Sequence, residues 1–203
     1  MQSLVTILQQ QAATLSLLEV VAVVMALLYL FLAIRQNIWC WAAAFVSTAI
    51  YLVVMYRASL YMESALQVFY LGMAVYGWYQ WRHGPGADHS LPVSRWPLSR
   101  HVAVVLAVLM ATVISGRVLS EYSAAALPYL DSFTTWGAIV ATFMVARKIL
   151  ENWLYWFVID GASIYLYVNR ELYLTALLFA GYLILIVIGY LSWRKDLQEL
   201  RAT

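Results

Sequence analysis

The sequence predicts an all-α integral membrane protein of seven transmembrane helices, organised as two parallel three-helix repeats around one connecting helix. Three observations lead there. Of 203 residues, 65% are hydrophobic and only 11% charged, whereas soluble domains are about half apolar and a quarter charged. The basic residues sit at the ends of apolar segments. The sequence also aligns with itself, without a gap, at an offset of 112 residues.

The apolar segments come first. A helix needs about 20 apolar residues to cross a hydrocarbon core of about 30 Å. The expected spans are Leu17–Ile34, Ile38–Tyr56, Leu60–Trp81, His101–Leu119, Phe133–Ala146, Trp153–Val168 and Leu172–Trp193. The fifth and sixth are short and are expected to extend into their flanks. Helix is preferred to strand because a backbone in lipid must satisfy its own hydrogen bonds, and period-two alternation is absent. The first apolar stretch lacks a basic flank and is followed by further spans, so it reads as retained rather than as a cleaved signal.

Most connections are tight. The exception is Arg82–Arg100, where Gly84, Pro85, Gly86, Pro92 and Pro97 mark an irregular linker. Its His83, His89 and Ser90 lack metal-ligand spacing, and it reads as a connector. The expected organisation is a single transmembrane domain over 1–203. Within it lie a first repeat at 17–82, a cytoplasmic linker at 83–100, a connecting helix at 101–119 and a second repeat at 130–194.

Orientation follows from the basic residues. With seven spans, nine of the 12 Lys and Arg (Arg35, Arg82, Arg95, Arg100, Arg147, Lys148, Arg194, Lys195 and Arg201) share one side. Arg57, Arg117 and Arg170 take the other. This predicts a multi-pass cell-membrane protein with its N-terminus outside and its C-terminus in the cytoplasm.

The repeat rests on pairs that chance matching of leucines does not supply: Arg35/Arg147, Trp41/Trp153, Tyr61/Tyr173, Tyr70/Tyr182, Gly77/Gly189, Trp81/Trp193 and Arg82/Arg194. Three helices end on the side opposite their start, so one helix between the copies makes them parallel. Transporters built from parallel repeats bind substrate near the midplane, between the repeats. The plainer alternative is a duplication kept for packing alone.

Polar residues within the spans are the candidates for chemistry. Trp153, Trp156, Asp160 and Ser163 share one helical face by spacing, with Asn152 beside them. A carboxylate at the depth of Asp160 costs about 2.5–3.5 kcal/mol on insertion scales, so it should face a cavity or a partner. Indole rings beside a carboxylate suit a flat cationic ligand. Equally, Trp153 reads as an interfacial anchor and Asp160 as a hydrogen-bonded structural group. The offset mates of Asp160 and Trp153 are Thr48 and Trp41, and Ala44 stands opposite Trp156, so any cavity is expected to be asymmetric. Glu63, Gln67 and Tyr70 share a face of the third span, where Gln67 must bond a ligand or another helix. Tyr79 and Trp81 are expected in the cytoplasmic aromatic belt.

Several classes are disfavoured. Cys40 is the single cysteine and the net charge of +2 does not point to nucleic acid. His83, His89 and His101 lie in or beside one loop, so no metal site within the spans is expected. Lys148 and Lys195 lie at helix ends, away from where a retinal Schiff base would form. No phosphate loop or nucleophile–base pair appears, so neither an enzyme nor a bound cofactor is expected.

Three stretches then carry a family resemblance: Leu66-Gln67-Val68-Phe69-Tyr70, Tyr76-Gly77-Trp78-Tyr79-Gln80-Trp81 and Arg147-Lys148-Ile149-Leu150-Glu151-Asn152-Trp153-Leu154-Tyr155-Trp156. Together they resemble the PnuC family of nicotinamide riboside transporters, and the resemblance covers nearly all of Leu17–Trp193. It implies a full-length SWEET-like fold, a homotrimer, and facilitated diffusion of a vitamin that a separate cytoplasmic kinase traps by phosphorylation. By motif, Asn152, Trp153 and Trp156 become the leading substrate-binding residues, with Gln67 and Tyr70 next; Asp160, Trp41 and Thr48 rest on the spacing argument. Thiamine and riboflavin remain alternatives within the family. A seven-helix receptor or sensor is the alternative from another class, although it leaves the repeat unexplained.

Overall fold

The computed structural model describes residues 4–57, 61–85, 91–123 and 127–202, without the side chains of 4, 61–63, 65, 201 and 202. Leu60, Gly86, His89, Ser90 and the side chains of Tyr61, Glu63 and Arg201, all named above, lie outside the described residues. Within them the chain forms eight helices: α1 (Leu4–Ala13), α2 (Leu17–Ile34), α3 (Cys40–Arg57), α4 (Tyr61–Arg82), α5 (Leu98–Tyr122), α6 (Pro128–Ala146), α7 (Asn152–Asn169) and α8 (Tyr173–Ala202).

Four of these, α2, α3, α5 and α8, are long and apolar enough to cross a membrane. Helices α4, α6 and α7 have 22, 19 and 18 residues. At about 1.5 Å per residue they are of comparable length. Their polar side chains (Gln67 on α4; Asp131, Ser132 and Thr134 on α6; Asn152, Asp160 and Ser163 on α7) make them less apolar. On α6 and α7 most of these point inward: Ser132, Thr134, Asn152, Asp160 and Ser163 are buried.

Helix ends follow local chemistry. Ser16 and Glu19 form a capping box at the start of α2, the Glu19 N–H donating to Ser16 Oγ at 3.2 Å and the Ser16 N–H to Glu19 Oε2 at 2.7 Å. Pro97 precedes α5 and Pro128 opens α6, where a missing N–H costs nothing. Three helices, α2, α6 and α7, end in the same turn, with a left-handed residue at Gln36 (φ 52°), Lys148 (φ 48°) and Glu171 (φ 58°). In each, the next N–H reaches back to a carbonyl five residues earlier at 2.9 Å. None of the three is glycine, so each bears the cost of that conformation, of order 1–3 kcal/mol.

Three features depart from the sequence expectation. Helix α1 was not anticipated; it lies against α8, and Gln11 Oε1 accepts from the Leu174 N–H at 2.9 Å, capping the start of α8. The stretch 91–97 is more than a connector. Val93 is buried, and Ser94 makes two backbone hydrogen bonds to the α6–α7 turn, accepting from Leu150 N–H at 2.8 Å and donating to Lys148 O at 2.9 Å. Trp81 is not a belt residue but 4% exposed in the core. Its hydrophobic ring is drawn inward because its indole N–H finds a buried carbonyl.

The core lies where the two halves meet. Trp81 Nε1 donates to Val145 O at 3.2 Å, and Trp193 Nε1 donates to Ala33 O at 3.0 Å. Trp41 meets Trp81 edge-on at 5.5 Å and 84°, as Trp153 meets Trp193 at 5.4 Å and 87°. Trp41 seats on Gly77 and Trp153 on Gly189, each so closely that a β-carbon would overlap the ring. Every member of these contacts has its counterpart 112 positions along the chain.

Candidate functional site

A cavity of about 210 Å³ opens between α2, α7 and α8. Helix α7 contributes Trp153, Trp156 and Asp160; α8 contributes Phe179, Tyr182 and Ile186. Helix α2 supplies Ala26, Tyr29, Leu30 and Ala33, and Val145 at the end of α6 closes the wall. The three α7 residues reach one cavity because spacings of three and four place them on successive turns of one face.

Among the described residues its wall is aromatic and aliphatic with one carboxylate, Asp160. Trp153, Trp156, Phe179, Tyr29 and Tyr182 present ring faces and edges. Asp160 is 4% exposed, and no hydrogen bond or ion pair reaches its carboxylate among the described residues. Trp153 is held rigidly, 2% exposed, between Gly189 and Trp193. Its indole N–H is buried without a hydrogen-bond partner in the structure, a donor that a bound ligand could satisfy.

The residues singled out from sequence divide. Trp153, Trp156 and Asp160 come together on the cavity wall. Asn152 does not line it: the side chain is wholly buried, its Nδ2 donating to Ile149 O at 2.7 Å and so closing the α6–α7 turn. Trp41, Thr48, Gln67 and Tyr70 are also absent from the wall. They sit on α3 and α4 at the positions offset by 112 from Trp153, Asp160, Phe179 and Tyr182. Trp41 approaches the cavity only through Tyr29, whose ring centre lies 6.1 Å from its own.

Sequence reasoning missed Tyr29, Phe179 and Tyr182. A signal for the last two existed: they are the offset mates of Gln67 and Tyr70. Tyr29 has Ala141 as its mate and offered none.

A second polar cluster lies at the end of the molecule where α2 and α6 finish. Lys148, 6% exposed, donates from Nζ to Gln36 Oε1 at 3.0 Å and lies over the Trp81 ring at 4.5 Å. Gln36 Nε2 in turn donates to the Asp196 carboxylate. Burial lowers the Lys148 ammonium to a pKa of about 8. The two left-handed residues Gln36 and Lys148 are thus tied directly to each other across the halves. Nearby, Glu151 at the start of α7 accepts from Arg95 Nε at 2.6 Å and from the Trp96 N–H at 3.4 Å, clamping the stretch 91–97 onto the turn. This pairing keeps the Arg95 guanidinium protonated beyond its ordinary range.

Residues 16–195 match the family model described as nicotinamide mononucleotide transporter. The nicotinamide riboside transporter PnuC of Escherichia coli is 25% identical, over 91% of this chain and 88% of its own. The riboflavin/roseoflavin transporter RibM of Streptomyces davaonensis is also 25% identical, over 86% of this chain and 83% of its own. In fold, the chain matches the crystal structure of the vitamin B3 transporter PnuC with a TM-score of 0.73 at 24% identity, covering 96% of this chain and 90% of that one. The chain belongs to the nicotinamide mononucleotide transporter family, the PnuC family of membrane transporters.

Proposed function

We propose that this protein carries nicotinamide riboside across the cell membrane, binding it in the cavity between α2, α7 and α8. The observation that carries the reading is a buried carboxylate, unpaired among the described residues, on a wall of aromatic and aliphatic side chains. A pyridinium ring is flat and positively charged, so it gains from stacking and cation–π attraction to Trp153 and Trp156 and from Coulomb attraction to Asp160. The volume, about 210 Å³, is below the ~300–1,000 Å³ usual for drug-sized ligands, and favours one small ring system over the three fused rings of riboflavin. Thiamine, also flat and cationic, is the second reading on the same grounds.

In this reading α2 to α8 are seven spans, with α2–α4 and α6–α8 as parallel SWEET-like repeats and α5 connecting them. The reciprocal Trp81–Val145 and Trp193–Ala33 bonds support that arrangement. Alternating access then comes from one repeat rocking against the other, with the N-terminus outside and the C-terminus cytoplasmic. Among the described residues no second carboxylate lines the cavity to form a relay, which favours uncoupled, facilitated diffusion. A homotrimeric assembly and trapping by a cytoplasmic kinase follow from the family resemblance.

The test is calorimetry on purified protein with nicotinamide riboside, thiamine and riboflavin, repeated on Asp160→Asn. Nicotinamide riboside should bind best, and the substitution should weaken both cationic vitamins about tenfold or more, one lost charge interaction of ~1.4 kcal/mol or above. Unchanged affinity in the variant would remove Asp160 from the site. Preference for thiamine would keep the site and change the substrate.

A further inference from the structure

The two halves carry the same turn after α2 and after α6, but only the second is covered. After α2, Arg35 stacks over Phe31 at 4.3 Å. After α6, the matching Phe143 and Arg147 are joined by Ser94, Arg95 and Trp96 from the docked stretch and by Arg100 at the start of α5. Together they enclose a cleft of about 440 Å³. Among the described residues, no stretch docks on the turn after α2 as 91–97 docks on the turn after α6.

Among the described residues, three guanidinium groups line the cleft and one carboxylate, that of Glu151, opposes them. Glu151 compensates Arg95, whose side chain remains half exposed. Arg147 donates to the neutral Gln80 Oε1 at 3.2 Å, and Arg100 lies over the Trp96 ring at 5.4 Å. Neither Arg100 nor Arg147 has a carboxylate partner among the described residues, so the cleft holds a positive excess. Guanidinium forks match the oxygens of a phosphate group, and two or more on one cleft can hold it from different sides.

We propose that this cleft, separate from the cavity between α2, α7 and α8, binds a phosphate group. The surroundings favour the headgroup of an anionic lipid as its source. Phe143 on α6 lines the cleft and is exposed, which offers an acyl chain an apolar surface. Basic pockets between transmembrane helices take lipid headgroups in this way. A phosphate held by Arg95 and Arg100 on one side and Arg147 on the other braces the 91–97 stretch against the α6–α7 turn. That turn leads directly into Trp153.

The protein is reconstituted in nanodiscs of phosphatidylcholine alone or with phosphatidylglycerol, and its Tm is measured for wild type and for Arg100→Gln/Arg147→Gln. Both substitutions are at exposed positions, so the fold is retained. A phosphatidylglycerol-dependent rise in Tm that shrinks with added salt and is lost in the double variant supports the site with lipid as source. The same Arg-dependent rise on adding inorganic phosphate to phosphatidylcholine nanodiscs supports the site with a soluble phosphate as source. Equal shifts in wild type and variant, or no shift with either probe, overturn it.

Discussion

At the residue scale, two ionisable groups dominate, and they are handled differently. Asp160 was visible in the sequence because a carboxylate inside an apolar span is costly and so demands a reason. Lys148 was visible only as a helix-end lysine, and its burial came from the fold. Its low pKa makes a signed prediction. The unfolded side chain titrates near 10.5 and the folded one near 8, so between those values the unfolded state binds more protons. Stability should therefore rise as the pH increases from 8 toward 10.5. Thermal unfolding of detergent-purified protein should show this rise, and Lys148→Met should flatten it. A rise that survives the substitution would assign the pH dependence to another group. Asn152 teaches the converse. A motif position can serve the backbone of a turn, and spacing alone does not separate that from a wall of a cavity.

At the element scale, the helices follow from sequence because each is long, apolar and bounded by recognisable punctuation: Ser16, Pro97, Pro128 and the turns after α2, α6 and α7. What spacing could not place was the stretch 91–97. Prolines and a mixed composition read as loose linker, while its contacts to Lys148, Leu150 and Glu151 are made with residues more than 50 positions away. Helix packing likewise depends on closely covered glycines, Gly77, Gly116, Gly137 and Gly189 among the described residues. Gly189→Val should force the Trp153 ring from its seat, costing about 1–3 kcal/mol by overpacking and lowering Tm together with vitamin affinity. Gly181→Ala, on the same helix with open space around it, is the control: affinity should be unchanged and Tm should hold or rise, because Ala favours a helix over Gly by about 1 kcal/mol. Comparable losses in the two variants would mean that the Trp153 seat does not set the effect.

At the scale of the whole molecule, the halves are joined by matched pairs. Each indole N–H of Trp81 and Trp193 crosses to the other half, and each bond should contribute about 0.5–1.5 kcal/mol net. Trp81→Phe and Trp193→Phe should therefore destabilise by similar amounts in denaturant titrations. The double variant should deviate from additivity, because the two rings lie 6.1 Å apart and share one core. A large effect from one residue and none from the other would break the equivalence of the halves.

The helical class, the membrane setting, the internal offset of 112 residues and the face bearing Trp153, Trp156 and Asp160 were all legible in the order of the residues. These are properties of composition and of spacing along one helix, which local periodicity records. Packing between helices set which of them complete the cavity, brought Tyr29, Phe179 and Tyr182 to its wall, and turned Trp81 and Lys148 inward. Those outcomes depend on how helices far apart in the chain pack, and a buried carbonyl or a facing ring supplied by another helix leaves no trace in the local pattern of residues.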